Sequence, residues 1–186
     1  DQCGGSGKIV REPCETCRGN GRQLVRKRLH VTVPAGINEG EMLKLGGEGE
    51  AGYNGGPRGD LYVEVSIKPH PVFTRRGYNT YCEVPITFAQ AALGAEIEIP
   101  TIDGKQTYQI REGTQPGDIV TLRGKGIPII RRQNQRGDHI VTLNLEVPRH
   151  LSEEQKARIR AFDDSCGERN YQKQDSFFQK LKDLFN

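Results

Sequence analysis

The chain has 186 residues, 27% of them charged and 34% hydrophobic, with a formal net charge of +3. That is thin material for one thick core and suits two small β-domains whose strands are half exposed. The balance excludes a membrane span, since no apolar run approaches ~18 residues, and Lys and Arg are interspersed with Asp and Glu rather than gathered into the basic, aromatic-studded stripe of a nucleic-acid binder.

Residues 1–24 are rich in Gly, Cys and charge. Cys14-Glu-Thr-Cys17 runs into Arg18-Gly-Asn-Gly21, giving C-x-x-C-x-G-x-G, and Cys3-Gly-Gly-Ser-Gly7 matches the second half of the same unit. Such a knuckle curls so that both thiolates face one tetrahedral ion, with glycines supplying the positive φ values of the turn. The candidate metal ligands are Cys3, Cys14 and Cys17, three of the four that zinc needs, so the expected sites are incomplete. A redox dithiol is the competing reading, although Gly19 and Gly21 oppose the helix start where such pairs sit. The chain opens inside this cysteine pattern without a signal peptide and reads as a piece of something longer. Five unevenly placed cysteines argue against a secreted disulfide framework and for a reducing, cytoplasmic setting. Gly4–Lys8 imitates a phosphate loop, but Gln2 and Ile9 stand where Gly and Ser or Thr are needed.

Leu29, Val31 and Val33 alternate with His30 and Thr32, the period of a half-buried strand. A longer pattern then occurs twice. Gly36, Gly40, Gly47 and Gly49 recur as Gly113, Gly117, Gly124 and Gly126 at a constant offset of 77 residues. After one inserted residue, Arg58-Gly-Asp60 recurs as Arg136-Gly-Asp138, each triplet entering an alternating apolar strand. The expected organisation is mainly β: two tandem β-sandwich domains of duplicated type, over 25–75 and 76–149, behind a zinc-knuckle remnant at 1–24. The second domain adds strands over Thr80–Ile86 and Ala95–Ile102, a helix-compatible Phe88–Leu93, and a hairpin at Asp103-Gly104. The glycines and both Arg-Gly-Asp triplets read as turn chemistry.

Beyond Pro148 the pattern becomes helical, and 150–186 is expected to be a dimerisation segment. Ser152-Glu-Glu-Gln155 is a capping box, Gly167 is placed to end that helix, and 168–175 reads as a polar linker. Ile159 and Phe162 share one helical face; Phe177, Phe178, Leu181, Leu184 and Phe185 form a second apolar stripe. A short helix this apolar needs a partner, its own domain, a second copy of the chain or a membrane surface, and docking or dimerisation is the favoured reading.

No arrangement of the four histidines (30, 70, 139, 150) makes a metal or nucleophilic motif, and Cys82 reads as a strand residue. Catalysis is not expected. A surface function remains: open strand edges flanked by apolar residues can take up an extended peptide. Leu29, Val31 and Phe73 are the residues best placed to line such a groove, unless they are simply core.

The knuckle CETCRGNG, followed by VPAGINEGEMLKLGGEGEAGYNGGPRGDLYVEVSIKPHPVFTRRG and EVPITFAQAALGAEIEIPTIDG, resembles the class A J-domain co-chaperones over essentially the whole chain. The resemblance implies two carboxy-terminal β-sandwich domains, a cysteine-rich zinc domain inserted in the first, and a terminal dimerisation segment. It implies a cytoplasmic homodimer that holds unfolded clients, prevents their aggregation and delivers them to an ATP-driven DnaK-type chaperone. Under it, Cys14 and Cys17 belong to the fourth knuckle and Cys3 to the third, while Leu29 and Phe73 fall on positions matching the client groove. The chain carries no His-Pro-Asp triplet (His70-Pro71 is followed by Val72), so it is not expected to stimulate a DnaK ATPase by itself. The strands that precede the zinc domain in the family are also not in this sequence. A zinc-ribbon nucleic-acid module carrying β-domains is the alternative of a different class; it predicts binding that collapses with salt.

Overall fold

The structure is a computed structural model that describes residues 12–19, 21–130, 132 and 134–185. Contacts divide the chain into two units, Asp1–Pro34 and Ala35–Asn186. In the first, residues 14–19 form the knuckle turn, closed by the Arg18 N–H donating to the Cys14 carbonyl at 2.7 Å, with positive φ at Arg18, Gly19 and Gly21. The expected strand over 29–33 does not form. Leu29 and Val31 are half-buried and His30 and Thr32 exposed, but Val33 is exposed at 56%, against the alternation, and none of the described ladders includes this segment. Apolar alternation fits a pleat without supplying the partner strand that defines one.

The second unit is β-rich, and its duplication is visible bond by bond. Strand β1 (Met42–Leu45) pairs antiparallel with β2 (Leu61–Glu64). After β3 (Thr74–Arg76), β4 (Asn79–Thr87), helix α1 (Phe88–Leu93) and the strands β5 (Ala95–Thr101) and β6 (Gly104–Ile110), the same pairing returns between β7 (Ile119–Leu122) and β8 (His139–Glu146). Leu45 faces Leu61 as Leu122 faces His139, and Met42 faces Glu64 as Ile119 faces Thr142. The Gly40 N–H donates to Val65 O at 2.9 Å and the Gly117 N–H to Leu143 O at 2.8 Å. The aspartate of each Arg-Gly-Asp triplet explains its own recurrence: Asp60 accepts from the Gly47 N–H at 3.0 Å, and Asp138 from the Gly124 N–H at 2.9 Å. Each carboxylate thereby pins a glycine turn at φ +70° or +66°.

The copies differ in what surrounds them. In the second, β8 lies between β7 and the parallel strand β4 in a four-stranded sheet of order β3-β4-β8-β7. The β5–β6 hairpin packs on that sheet, so Ile97, Ile99 and Ile110 share one apolar cluster with Cys82, Ile86, Val120, Leu122, Val141 and Leu143. The hairpin turn is Ile102-Asp103, with Gly104 already paired to Thr101, one residue earlier than Asp103-Gly104 implies. In the first copy β1 and β2 form a two-stranded ribbon.

Helix α2 (Glu153–Ser165) begins with the expected capping box: Ser152 Oγ accepts from the Gln155 N–H, and the Gln155 side chain accepts from the Ser152 N–H. Helix α3 (Gln172–Phe185) starts earlier than expected, replacing the end of the polar linker at 168–175 with helical turns preceded by a short 3-10 turn, Glu168–Asn170. Gln and Lys resemble the good helix formers, so polarity alone was a poor reason to read a linker there.

Candidate functional site

Burial separates the two copies at matching positions. On the inner face of the second, Val120, Leu122, His139, Val141 and Leu143 are all buried. Their counterparts Leu43, Leu45, Leu61, Val63 and Val65 are only half-buried. Alternation places all five on one face, and the cross-strand pairs Leu43–Val63 and Leu45–Leu61 make it continuous. Among the described strands β2 has one partner, whereas β8 has two. The first copy thus offers an apolar strand face that is only half-buried, beside a strand edge that no other described strand pairs with.

The expected groove residues are distributed as follows. Leu29 and Val31 belong to the first unit and Phe73 to the second. Phe73 is half-buried against the core of the second β-copy, stacked on His70 at 4.8 Å and edge-on to His139 at 5.6 Å. His139 is fully buried. Its Nδ1 shares a hydrogen bond with Thr80 Oγ1 at 2.8 Å, and its Nε2 lies 3.4 Å from Cys82 Sγ. Burial lowers the pKa of His139 and raises that of Cys82. Cys82 is therefore a core thiol, as the strand reading expects.

In the knuckle, the Cys14 thiol pKa is lowered to about 7, first by the backbone N–H of Cys17, then by the N–H and side chain of Thr16 and by the side chain of Cys17. This stabilises a thiolate without metal or burial. Among the described residues no group of three or more His, Cys, Asp or Glu is placed to hold a metal ion, and Cys3 lies outside them. The knuckle's described thiols, Cys14 and Cys17, fit half of a tetrahedral site and do not complete one.

At the other end of the chain, Phe177, Phe178, Leu181 and Leu184 are exposed on α3, at 61%, 50%, 39% and 79%. The side chain of Phe185 lies outside the described residues. On α2, Ile159 and Phe162 are half exposed, and the Phe162 ring meets Phe88 of α1 edge-on at 5.6 Å. A cavity of about 770 Å³ opens there, lined by Phe88, Ala91, Pro116, Leu145, Phe162 and Tyr171 among others. The alternation of Leu43, Leu45, Leu61 and Val63 was readable in the sequence; its exposure was not, because the covering elements lie in distant segments. The α1–α2 cavity left no periodic signal at all.

Comparison with known proteins agrees with this organisation. Residues 8–148 match the family described as DnaJ C terminal domain, and residues 154–186 match the Chaperone protein DnaJ C-terminal region. The chain is similar to Chaperone protein DnaJ of Acetivibrio thermocellus, with 52% identity over 183 residues, 98% of this chain and 47% of that protein. It is also similar to those of Ruminiclostridium cellulolyticum (51% over 185 residues, 100% and 48%) and Caldicellulosiruptor saccharolyticus (47% over 186 residues, 100% and 48%). The chain spans about half the length of these curated relatives. With the duplicated glycine-turn strands, the knuckle and the terminal helices all matched in order, the chain belongs to the DnaJ C-terminal domain family.

Proposed function

We propose that this chain is the client-holding part of a J-domain co-chaperone, and that its first β-copy takes up apolar stretches of unfolded polypeptide. The observation that carries the reading is the half-buried face of Leu43, Leu45, Leu61 and Val63, whose counterparts in the second copy are buried. Strand pairing supplies sequence-tolerant bonds and the apolar face supplies affinity. Leu29, Val31 and Phe73 remain proposed client-contacting residues on the strength of the sequence and the family resemblance, and the test below includes the first of them. The strands that the family resemblance implies ahead of the zinc domain would complete the wall of this groove. Burying three client side chains offers roughly 1.5–3 kcal/mol each, and ordering and association costs reduce that to about micromolar affinity.

In the whole protein, clients held here pass to a DnaK-type ATP-driven chaperone in the cytoplasm, and the chain itself makes and breaks no bonds. Zinc belongs to the complete cysteine-rich domain, where Cys14 and Cys17 would supply two of four thiolates and the ion would fix the knuckle. The apolar stripe of α3, with Ile159 and Phe162, is the proposed homodimer contact.

The test is an anisotropy titration of a labelled apolar peptide against the wild-type chain, Val63→Asp and Leu29→Ala, at low and high salt. Binding insensitive to salt and weakened at least tenfold by Val63→Asp supports the reading. Binding that both variants retain would overturn it, and binding lost only with salt would favour the nucleic-acid alternative.

A further inference from the structure

The first β-copy is a two-stranded ribbon, and such a ribbon is marginal in water unless something holds it. Its inner face contributes no residue to the buried apolar cluster of the second copy. The turn that leads into it, residues 36–38, is however tied to the second copy by one side chain. Arg75, on β3, donates from Nη1 to the Ile37 carbonyl at 2.7 Å and from Nη2 to the Gly36 carbonyl at 2.9 Å and to Asn38 Oδ1 at 2.8 Å. Its Nε donates to the Gly77 carbonyl at 2.8 Å, which fixes the guanidinium plane against the β3–β4 turn. β3 in turn pairs with β4 at the edge of the four-stranded sheet.

The backbone itself is closely fitted at this point. A Cβ placed on Gly36 would lie 1.9 Å from the Pro128 carbonyl oxygen, and the glycine stands at φ +90°. Ile37 is 7% exposed, although it lies outside the main apolar cluster. Residues 126–128, against which this turn rests, are held to the β3–β4 turn by the Ile127 N–H donating to Tyr78 O at 2.8 Å. The repeat provides an internal control. At the matching glycine of the second copy, Gly113, an added Cβ would meet nothing within 4 Å, and its turn is bonded instead to α1 through the Gly113 and Thr114 N–H groups, which donate to Ala92 O and Ala91 O. The joint at residues 36–38 is therefore a feature of the first copy and not of the repeat.

We infer that Arg75 is a latch: its forked hydrogen bonds to residues 36–38 hold the β1–β2 ribbon in order and at a fixed position on the second β-copy. A planar guanidinium can satisfy three carbonyl oxygens and an amide oxygen at once, while an ammonium on a flexible stem cannot reproduce that fan. Arg75 is a positioning residue. It lies outside the apolar face and acts on that face by determining where the ribbon sits.

The experiment is hydrogen exchange read by mass spectrometry on the full chain, comparing wild type with Arg75→Ala, Arg75→Lys and Gly36→Ala. Gly36→Ala attacks the same joint through Pro128 instead of through the guanidinium. Exchange of peptides covering 42–45 and 61–64 should accelerate at least tenfold in all three variants, while peptides covering 79–87 and 139–146 keep their wild-type protection. Lysine should give no rescue. Uniform acceleration through β4 and β8 would reduce Arg75 to general stabilisation and overturn the latch, as would unchanged exchange in the ribbon or full rescue by lysine. The readout requires no ligand, so it stands or falls separately from client binding.

Discussion

Leu45 and Leu122 are the same residue at the same position of the repeat, facing Leu61 and His139 in the same register. Truncating each to alanine removes identical atoms from different surroundings. Leu122 is 7% exposed within the main cluster, so Leu122→Ala loses the transfer energy of about three methylene equivalents, roughly 2.5 kcal/mol, and leaves a cavity that brings the cost to about 3–4 kcal/mol. Leu45 is half-buried on a face open to water. No closed cavity results there, and about half the transfer energy, roughly 1 kcal/mol, is at stake. Urea unfolding followed by far-ultraviolet circular dichroism distinguishes the two. With a slope of about 2 kcal/mol per molar, the midpoint should fall by about 1.5–2 M for Leu122→Ala and about 0.5 M for Leu45→Ala. Equal shifts, or a larger one for Leu45→Ala, would refute the claim that the first copy's inner face is incompletely covered. That result would remove the basis for client binding there.

Other outcomes follow from the same coordinates. His139 is buried and its pKa lies below the ordinary value of 6.5, so the unfolded chain takes up its proton first. Stability should be full above about pH 6.5 and decline as pH falls toward the folded-state value; His139→Leu, which installs the residue of the first copy at Leu61, should flatten the decline of the urea midpoint between pH 7.5 and 5.5. Cys14, exposed with a thiol pKa of about 7, should be alkylated at pH 7 while buried Cys82 stays unmodified in the native protein, and its rate should fall about tenfold per pH unit well below 7, as read by peptide mass spectrometry. Leu181→Asp together with Phe177→Asp should convert the proposed homodimer to monomers by light scattering; an unchanged mass would reject α3 as the contact.

The strand register of this fold was legible because glycine turns and period-two alternation are local. Gly36, Gly40, Gly47 and Gly49 announced their second set, and Asp60 and Asp138 sit where their carboxylates close the turns. What the sequence withheld was coverage. Nothing near Leu45 or Leu122 says which of the two is roofed, because the roof is the β5–β6 hairpin and the flank is β4, and both belong to other stretches of chain. The same applies to Leu29–Val33, whose alternation predicts a strand in a place where the described chain has none to pair with it. His139 looked like any strand histidine until β4 brought Thr80 and Cys82 to its ring.

The parallel pairing of β4 with β8 joins residues 59 positions apart, Thr80 to His139 and onward to Thr87 and Glu146. On the ribosome β4 emerges long before its partner. At ~5–20 residues per second, its apolar side chains Cys82, Val84 and Ile86 wait roughly 3–12 s for β8 to be made. Pairing this far along the chain is intrinsically slow even afterwards. During its own synthesis this chain thus presents, for seconds, an apolar strand with its partner still unmade, the kind of exposed segment that makes a folding intermediate prone to aggregate.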